Sequence, residues 1–280
     1  MNYVMKKGDE GQEVKRLQTY LLISADGKFG PKPEQAVRDH QQLLGLTVDG
    51  KAGPQTLASL KIPVLPGIDL SRHNGRVDFK KVAASGVKYA WVKVTEGTTH
   101  INPGFEDKFK GCRDHGIIVG GYHFGRPDTY ADNPADANNE AEHFLDTISR
   151  VGIRRGDLVP VLDVEAGMKT DDQFNADWTL EWLTRVRVEN TIRCMVYTAS
   201  WATDLYLKHA SVASRRQLAS YPLWWARYHE GIEPNNSHKM LSWDEWKVWQ
   251  WTGHGQVPGV TGRCDQNWMA GGALNSLIVS

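Results

Sequence analysis

Apolar residues follow two different rhythms along this 280-residue chain. Over the first sixty positions they recur at helical spacing. Val14, Leu17 and Leu21 share one face of a helix, and Val37, Gln41 and Leu44 share another, with a polar residue interrupting the second stripe. A third short helix fits 54–60, with a proline in its first turn. A turn signal recurs between them: Asp26-Gly27-Lys28-Phe29-Gly30-Pro31 returns as Asp49-Gly50-Lys51-Ala52-Gly53-Pro54. The pattern predicts a small three-helix domain over 1–62. Pro63 and Pro66 stiffen the next stretch, so 63–66 reads as a linker.

From Gly67 the rhythm changes. Short apolar runs at 67–70, 89–94, 117–124, 158–165, 193–198, 223–228, 247–251 and 264–267 read as strands. Helices fit 79–85, 105–115, 134–151 and 174–190, while the later connections look too short or irregular for full helices. Strands alternating with helices imply an α/β fold with a mostly parallel sheet. Eight mostly parallel strands with about five helices, most in the first part, predict an incomplete β/α barrel over 67–280, with its site at the C-terminal ends of the strands.

The most informative run is Val159-Pro160-Val161-Leu162-Asp163-Val164-Glu165. On a strand, Asp163 and Glu165 share one face with Cα atoms roughly 6.5 Å apart. An isolated Asp-x-Glu is more often a hydrated strand end, because acidic residues are mostly exposed. Buried together, two carboxylates are costly, and one chemistry that uses them is glycoside hydrolysis. Polar groups at the other strand ends join them: Asp69, Glu96, Tyr122, Tyr197, Gln250 and Asp265, with Trp224 nearby. Four of these acids, Asp69, Asp163, Glu165 and Asp265, with aromatic neighbours at one barrel end form a sugar-sized cleft of strongly negative field.

Composition removes several alternatives. The 33 basic and 33 acidic side chains cancel, which argues against binding nucleic acid by neutralising phosphates. Three scattered cysteines, Cys112, Cys194 and Cys264, offer neither a disulfide framework nor a zinc spacing and point to a reducing compartment. No run approaches a membrane span, and the first residues lack the apolar core of a signal peptide. The 11 tryptophans all lie from Trp91 onward; core packing must account for most, sugar stacking for the rest.

Two resemblances sharpen this reading. Gly8-x-x-Gly11-x-x-Val14-x-x-Leu17-Gln18, Asp26-Gly27-x-Phe29-Gly30, Ala36-Val37 and Gly45-Leu46-x-x-Asp49-Gly50 resemble the peptidoglycan-binding domain of many cell-wall hydrolases, with His40 where that family carries an aromatic before the glutamine. This implies a wall-binding module without chemistry of its own. Gly67-Ile68-Asp69-Leu70-Ser71, Lys93-x-Thr95-Glu96-Gly97, Gly121-Tyr122-His123-Phe124, Leu162-Asp163-Val164-Glu165, Tyr197-Thr198, Leu223-Trp224-x-Ala226-x-Tyr228, Trp249-Gln250-Trp251-Thr252 and Asp265-x-Asn267 occur in order. Over about 67–270 this set resembles glycoside hydrolase family 25, lysozymes that cut between N-acetylmuramic acid and N-acetylglucosamine. Departures are Arg72-His73-Asn74-Gly75 after the first strand and Trp251 where tyrosine is common.

The resemblance implies Glu165 as general acid, with a pKa raised by the neighbouring Asp163 charge. Asp163 either orients the substrate's own N-acetyl group for attack on the anomeric carbon or activates a water directly. Asp69 and Asp265 are expected to hold Asp163 and the acetamido group. Tyr122, Tyr197, Gln250, Trp224 and Glu96 are the expected sugar contacts. No metal and no other cofactor is expected, and no His-Glu-x-x-His or comparable spacing occurs. The architecture is similar to a modular phage endolysin, although an autolysin would look the same. Such a protein is expected to be a monomer made in the host cytoplasm, with bacterial peptidoglycan as substrate and as ligand of its N-terminal domain, acting on the wall after release. Nucleic acid and membrane insertion play no part in it. The competing readings are a chitinase-like glycosidase, a zinc amidase, and a non-catalytic wall-binding protein.

Overall fold

The structure, a computed structural model, describes residues 4–60, 65–127, 135–190, 192–228, 240–270 and 272–280. Pro63 and Val64 of the expected linker and the expected helix start at Pro134 lie outside them. The N-terminal unit contains α1 (Gln12–Tyr20), α2 (Pro31–Leu43) and α3 (Pro54–Ser59). Val14, Leu17 and Val37 are fully buried, but Leu44, expected on the inner face, is 48% exposed because α2 ends before it.

The repeated Asp-Gly turn has a mechanical explanation. Gln18 of α1 accepts a hydrogen bond from the Gly27 N–H at 2.7 Å and donates to Asp26 and to the Lys28 carbonyl. Gln41 of α2 repeats this, accepting from the Asp49 and Gly50 N–H groups and donating to Asp49 and the Lys51 carbonyl. Each turn needs glycine in the left-handed region, with φ of 78° at Gly27 and 71° at Gly50. The polar interruption in the α2 stripe is thus a buried amide that satisfies a turn. Replacing Gln41 with leucine should strand these donors and acceptors and cost about 2 kcal/mol. Denaturant unfolding of the full chain tests this, and a cost below about 0.5 kcal/mol would contradict it.

The strands of the larger unit are β1 (Leu65–Leu70), β2 (Tyr89–Glu96), β3 (His100–Ile101), β4 (Ile118–Phe124), β5 (Val161–Asp163), β6 (Met195–Ala199), β7 (Leu223–Ala226), β8 (Val248–Gly255) and β9 (Cys264–Met269). Leu65 and Pro66, expected in the linker, therefore begin the first strand. The order is β1-β9-β8-β7-β6-β5-β4-β2, and the pairing of β1 with β2 closes the barrel. The two-residue β3 hangs antiparallel on the end of β2. Neighbouring barrel strands run parallel except at β9, which is antiparallel to both β1 and β8.

Around the barrel lie α4 (Phe79–Ala84), α5 (Phe105–Asp114), α6 (Asp136–Ile148), α7 (Asp172–Asn190), α8 (Ser200–Tyr206) and α9 (Val212–Leu218), with α10 (Leu274–Leu277) near the end of the chain. Helices α8 and α9 fill the connection from β6 to β7, where no full helix is expected from the sequence. Each has only seven residues, too few for a helical period to register. The expected fourth strand, 158–165, shrinks to Val161–Asp163 because Pro160 has no N–H to give a ladder. Among the described residues no helix is long and apolar enough to cross a membrane.

Aromatic rings fill the barrel interior beneath the site. Tyr89, Trp91 and Trp224 are buried, with ring centroids 5.4 Å apart for Tyr89–Trp91 and 4.8 Å for Trp91–Trp224. Two glycines make room for them. A Cβ on Gly67 would stand 2.2 Å from the Tyr89 ring, and one on Gly120 2.8 Å from Trp91 Nε1. Gly67→Ala should destabilise the protein by about 1–3 kcal/mol through overpacking. An unchanged melting temperature would show that the Tyr89 ring has room to move.

Candidate active site

Strand alternation aims Asp69 of β1, Lys93 of β2, Tyr122 of β4, Asp163 of β5, Tyr197 of β6 and Gln250 of β8 into one cavity of about 230 Å³. Trp224 of β7, Asp265 of β9 and Glu165 also line it. Eight of the nine residues expected at the site are thus brought together. His123, the neighbour of Tyr122, points the other way. Its Nδ1 meets Thr95 Oγ1 at 2.8 Å and its Nε2 meets Glu140 of α6 at 2.7 Å, fully buried outside the barrel. Burial drives its pKa well below the usual value, so the imidazole is neutral.

The chain direction of β9 alters the expected route of Asp265 to the site. Strand order in the sequence predicts Asp265 at the C-terminal end of its strand. It lies instead at the start of β9, and the antiparallel pairing Asp69↔Asp265 carries it to the same rim. Glu165 likewise lies beyond its strand. The ladder of β5 ends at Asp163, although Val164 still donates to the Tyr197 carbonyl at 2.9 Å. The two acids meet in the cavity because the chain turns there, and not as same-face neighbours on one strand.

One hydrogen-bonded network holds the floor. Asp69 Oδ2 accepts from Gln250 Nε2 and from Asn267 Nδ2, both at 2.8 Å. Asn267 Oδ1 in turn accepts from Trp224 Nε1 at 2.9 Å. Gln250 Oε1 accepts from the hydroxyls of Tyr197 and Tyr228, each at 2.9 Å. Asp69 and Asp265 are hydrogen-bonded to each other, which requires a proton on one of them. The Asp163 carboxyl takes no part in this: its Oδ1 has no hydrogen-bond partner among the described residues. The expectation that Asp69 and Asp265 hold Asp163 directly is not met; they hold each other.

All four acids have raised pKa values. Burial is the leading cause for each. Asp265 rises to about 9, with Asp69 adding to burial. Asp163 is pushed well up by burial and then by Glu165. Glu165 rises to about 7 through burial and then the Asp69 charge, opposed by Lys93, a hydrogen bond with Tyr197, and Arg126. The expected cause of this shift is the Asp163 charge; burial and then Asp69 act instead, and the charge effect within the pair falls on Asp163.

Glu96 departs from expectation. It is not among the residues lining the cavity. Its carboxylate is engaged by Lys93 at 2.7 Å and by Arg126 at 2.6 Å. Burial raises its pKa, but the hydrogen bonds and charges of these two cations outweigh that and hold it at about 2. Lys93 and Arg126 also stack on Phe124, 4.1 and 4.7 Å from the ring centroid. Lys93 and Tyr228, which stand in the sequence motifs but are not among the expected site residues, join the site. A lysine interrupting the apolar strand Tyr89–Val94, two residues from the inward Trp91, is the available signal for the first. Tyr228 lies beyond β7, where alternation no longer predicts direction. Of the tryptophans only Trp224 lines the cavity, and most of the others are core.

Comparison with known proteins agrees with this geometry. The model for a peptidoglycan binding domain matches residues 10–60. Lysozyme M1 of Streptomyces globisporus is 27% identical over 277 residues, covering 94% of this chain and 89% of that one. The N,O-diacetylmuramidase of Chalaropsis sp is 34% identical over 166 residues, 57% of this chain and 67% of the relative. The crystal structure of the bacterial lysozyme from Streptomyces coelicolor superposes with a TM-score of 0.64 at 25% identity, over 75% of this chain and 94% of that one. The model described as glycosyl hydrolases family 25 matches residues 68–260, which takes in Asp69, Asp163 and Glu165. On that match, together with the barrel and its acids, the chain belongs to the glycosyl hydrolases of family 25.

Proposed function

We propose that this glycoside hydrolase is an endolysin-type lysozyme that cleaves the β-1,4 bond between N-acetylmuramic acid and N-acetylglucosamine in peptidoglycan. The observation that carries the reading is the cavity in which Glu165 and Asp163 stand together with Asp69 and Asp265, and burial there raises Glu165 to about 7. The names of the lysozyme and muramidase relatives support the substrate, and the match at 10–60 supports a wall-gripping role for residues 1–62.

In this mechanism Glu165 protonates the departing glycosidic oxygen. Asp163, whose side chain lines the cavity, is the acceptor for the N–H of the substrate's acetamido group. That bond turns the acetamido oxygen toward the anomeric carbon and stabilises the positive charge formed as it attacks. Asp69, fixed by Gln250 and Asn267, and Asp265 form the wall that keeps this corner polar and positioned. Tyr122, Tyr197, Trp224 and Gln250 are the proposed sugar contacts. Glu96, held by Lys93 and Arg126, acts on the sugar only through those cations.

Mass spectrometry of purified peptidoglycan digested by wild type and by Glu165→Gln tests the assignment. Fragments with intact peptides and reducing N-acetylmuramic acid ends should come from wild type and fall by about 10³-fold or more in the variant. Free peptides would identify an amidase instead, and anhydro ends a lytic transglycosylase. Asp163→Asn should cost about 10²–10³-fold in turnover. A silent Asp163→Asn would exclude the role given to it here.

The pH dependence arises from the same proton. Turnover should decline above about pH 7 as Glu165 ionises. Stability should decline too: an unfolded glutamate releases its proton near 4.5, and the folded protein retains it to about 7. Between those values the folded state binds more protons, so unfolding becomes easier as pH rises through that window. The fall in melting temperature from pH 5 to pH 8 should be smaller in Glu165→Gln. An equal fall in both proteins would place the titration elsewhere.

A further inference from the structure

A second cavity of about 590 Å³ lies across the Arg72–Asn74 turn from the catalytic one. Ser71 and His73 line the catalytic cavity, while Arg72 and Gly75 line the second. Its walls combine three cations, Arg72, Arg76 and Lys108, with Phe79, Pro103 and one acid, Asp107. Lys108 is the unusual member. As a residue it is only 6% exposed, so its stem is buried, while its ammonium is not itself enclosed and opens into the groove, with no hydrogen bond or ion pair among the described residues. It stands 3.6 Å from where a Cβ on Gly104 would be, over the start of α5. That helix begins at Gly104 without a side-chain cap, so its first N–H groups and the helix dipole face the same place. Arg72 and Arg76 are exposed and, among the described residues, form no ion pair.

A lysine whose stem is buried has its ammonium held toward the groove, where an anion can meet it beside Arg72 and Arg76. Burial accordingly lowers the Lys108 pKa, with Asp107 opposing. We propose that this groove binds a carboxylate of the peptide attached to the substrate glycan, with Lys108, Arg72 and Arg76 as its counter-charges. The inference rests on the muramidase reading for the identity of the polymer. Position favours the peptide: a glycan strand in the catalytic cavity carries its peptides outward, and the groove begins one residue away at Arg72. Chemistry favours it over a wall phosphate polymer, because Phe79 and Pro103 suit alanine methyls and Asp107 suits a side-chain amine.

The test uses the full chain, comparing wild type with Lys108→Met and with the double variant Arg72→Gln, Arg76→Gln. Reducing ends are measured on peptide-bearing peptidoglycan and on the same glycan stripped of its peptides. The ratio of kcat/KM for the two substrates should favour the peptide-bearing form and fall about tenfold in each variant, the scale of one charge-assisted contact. A ratio that does not change in either variant overturns the proposal. A binding arm is independent of turnover: calorimetric titration of the Glu165→Gln protein with disaccharide-tetrapeptide and with bare disaccharide. The peptide should tighten binding about tenfold, and the groove substitutions should abolish that gain. If wild type cuts neither glycan, the muramidase reading fails, and the binding arm alone decides the groove. Competition by a phosphate-bearing wall polymer, without any peptide effect, would overturn the peptide as occupant.

Discussion

Four carboxyl groups crowded into one largely buried cavity cannot all be charged, and much of the barrel is arranged around that constraint. Asp69 and Asp265 resolve it by hydrogen-bonding to each other around a retained proton. Amide donors from Gln250 and Asn267 supply the rest of what Asp69 needs. Tyr197 and Tyr228 fix the orientation of Gln250, and Trp224 fixes that of Asn267. The indole that anchors the polar floor also packs on Trp91, so the aromatic core and the acid cluster form one assembly. The other two acids differ in environment: Asp163 keeps a buried oxygen without a partner among the described residues, and Glu165 meets the field of Lys93 and Arg126.

The cationic edge explains how one acid can stay poised near neutrality. Lys93 and Arg126 pair with Glu96, a fifth carboxylate whose charge is the last of the causes that raise Asp163. Lys93 also lowers Asp163, and both cations lower Glu165, against the stronger effect of burial. Glu96 is thus best understood as the group that positions two cations, with Phe124 sandwiched beneath them. An acid at a strand end reads the same in a sequence whether it faces a ligand or a guanidinium; its partner, Arg126, lies thirty residues away.

The N-terminal unit shows the opposite relation between sequence and structure. There a repeated hexapeptide is legible as a repeat, and its cause is local: a glutamine from the preceding helix satisfies each Asp-Gly turn. Gln41 looks like a blemish in an apolar stripe because periodicity counts hydrophobicity and not hydrogen bonds. Leu44 escapes the periodic pattern for a related reason, since the helix ends one residue before it and the face it would occupy no longer exists.

The sequence by itself determined the strand-and-helix alternation, the three-helix unit, the barrel class, and the acids that meet at its rim, because apolar period and strand alternation are local properties. Tertiary structure alone decided how those acids meet. The reversal of β9 carries Asp265 to the rim, and the end of β5 at Asp163 releases Glu165 from the strand. The two short helices between β6 and β7 emerged only with packing. Packing also decided the proton inventory: burial, the main cause of each raised pKa, depends on closing the sheet through the β1–β2 pairing. That pairing joins residues about twenty positions apart, and the ring around it needs every strand in place, so no window of sequence contains it.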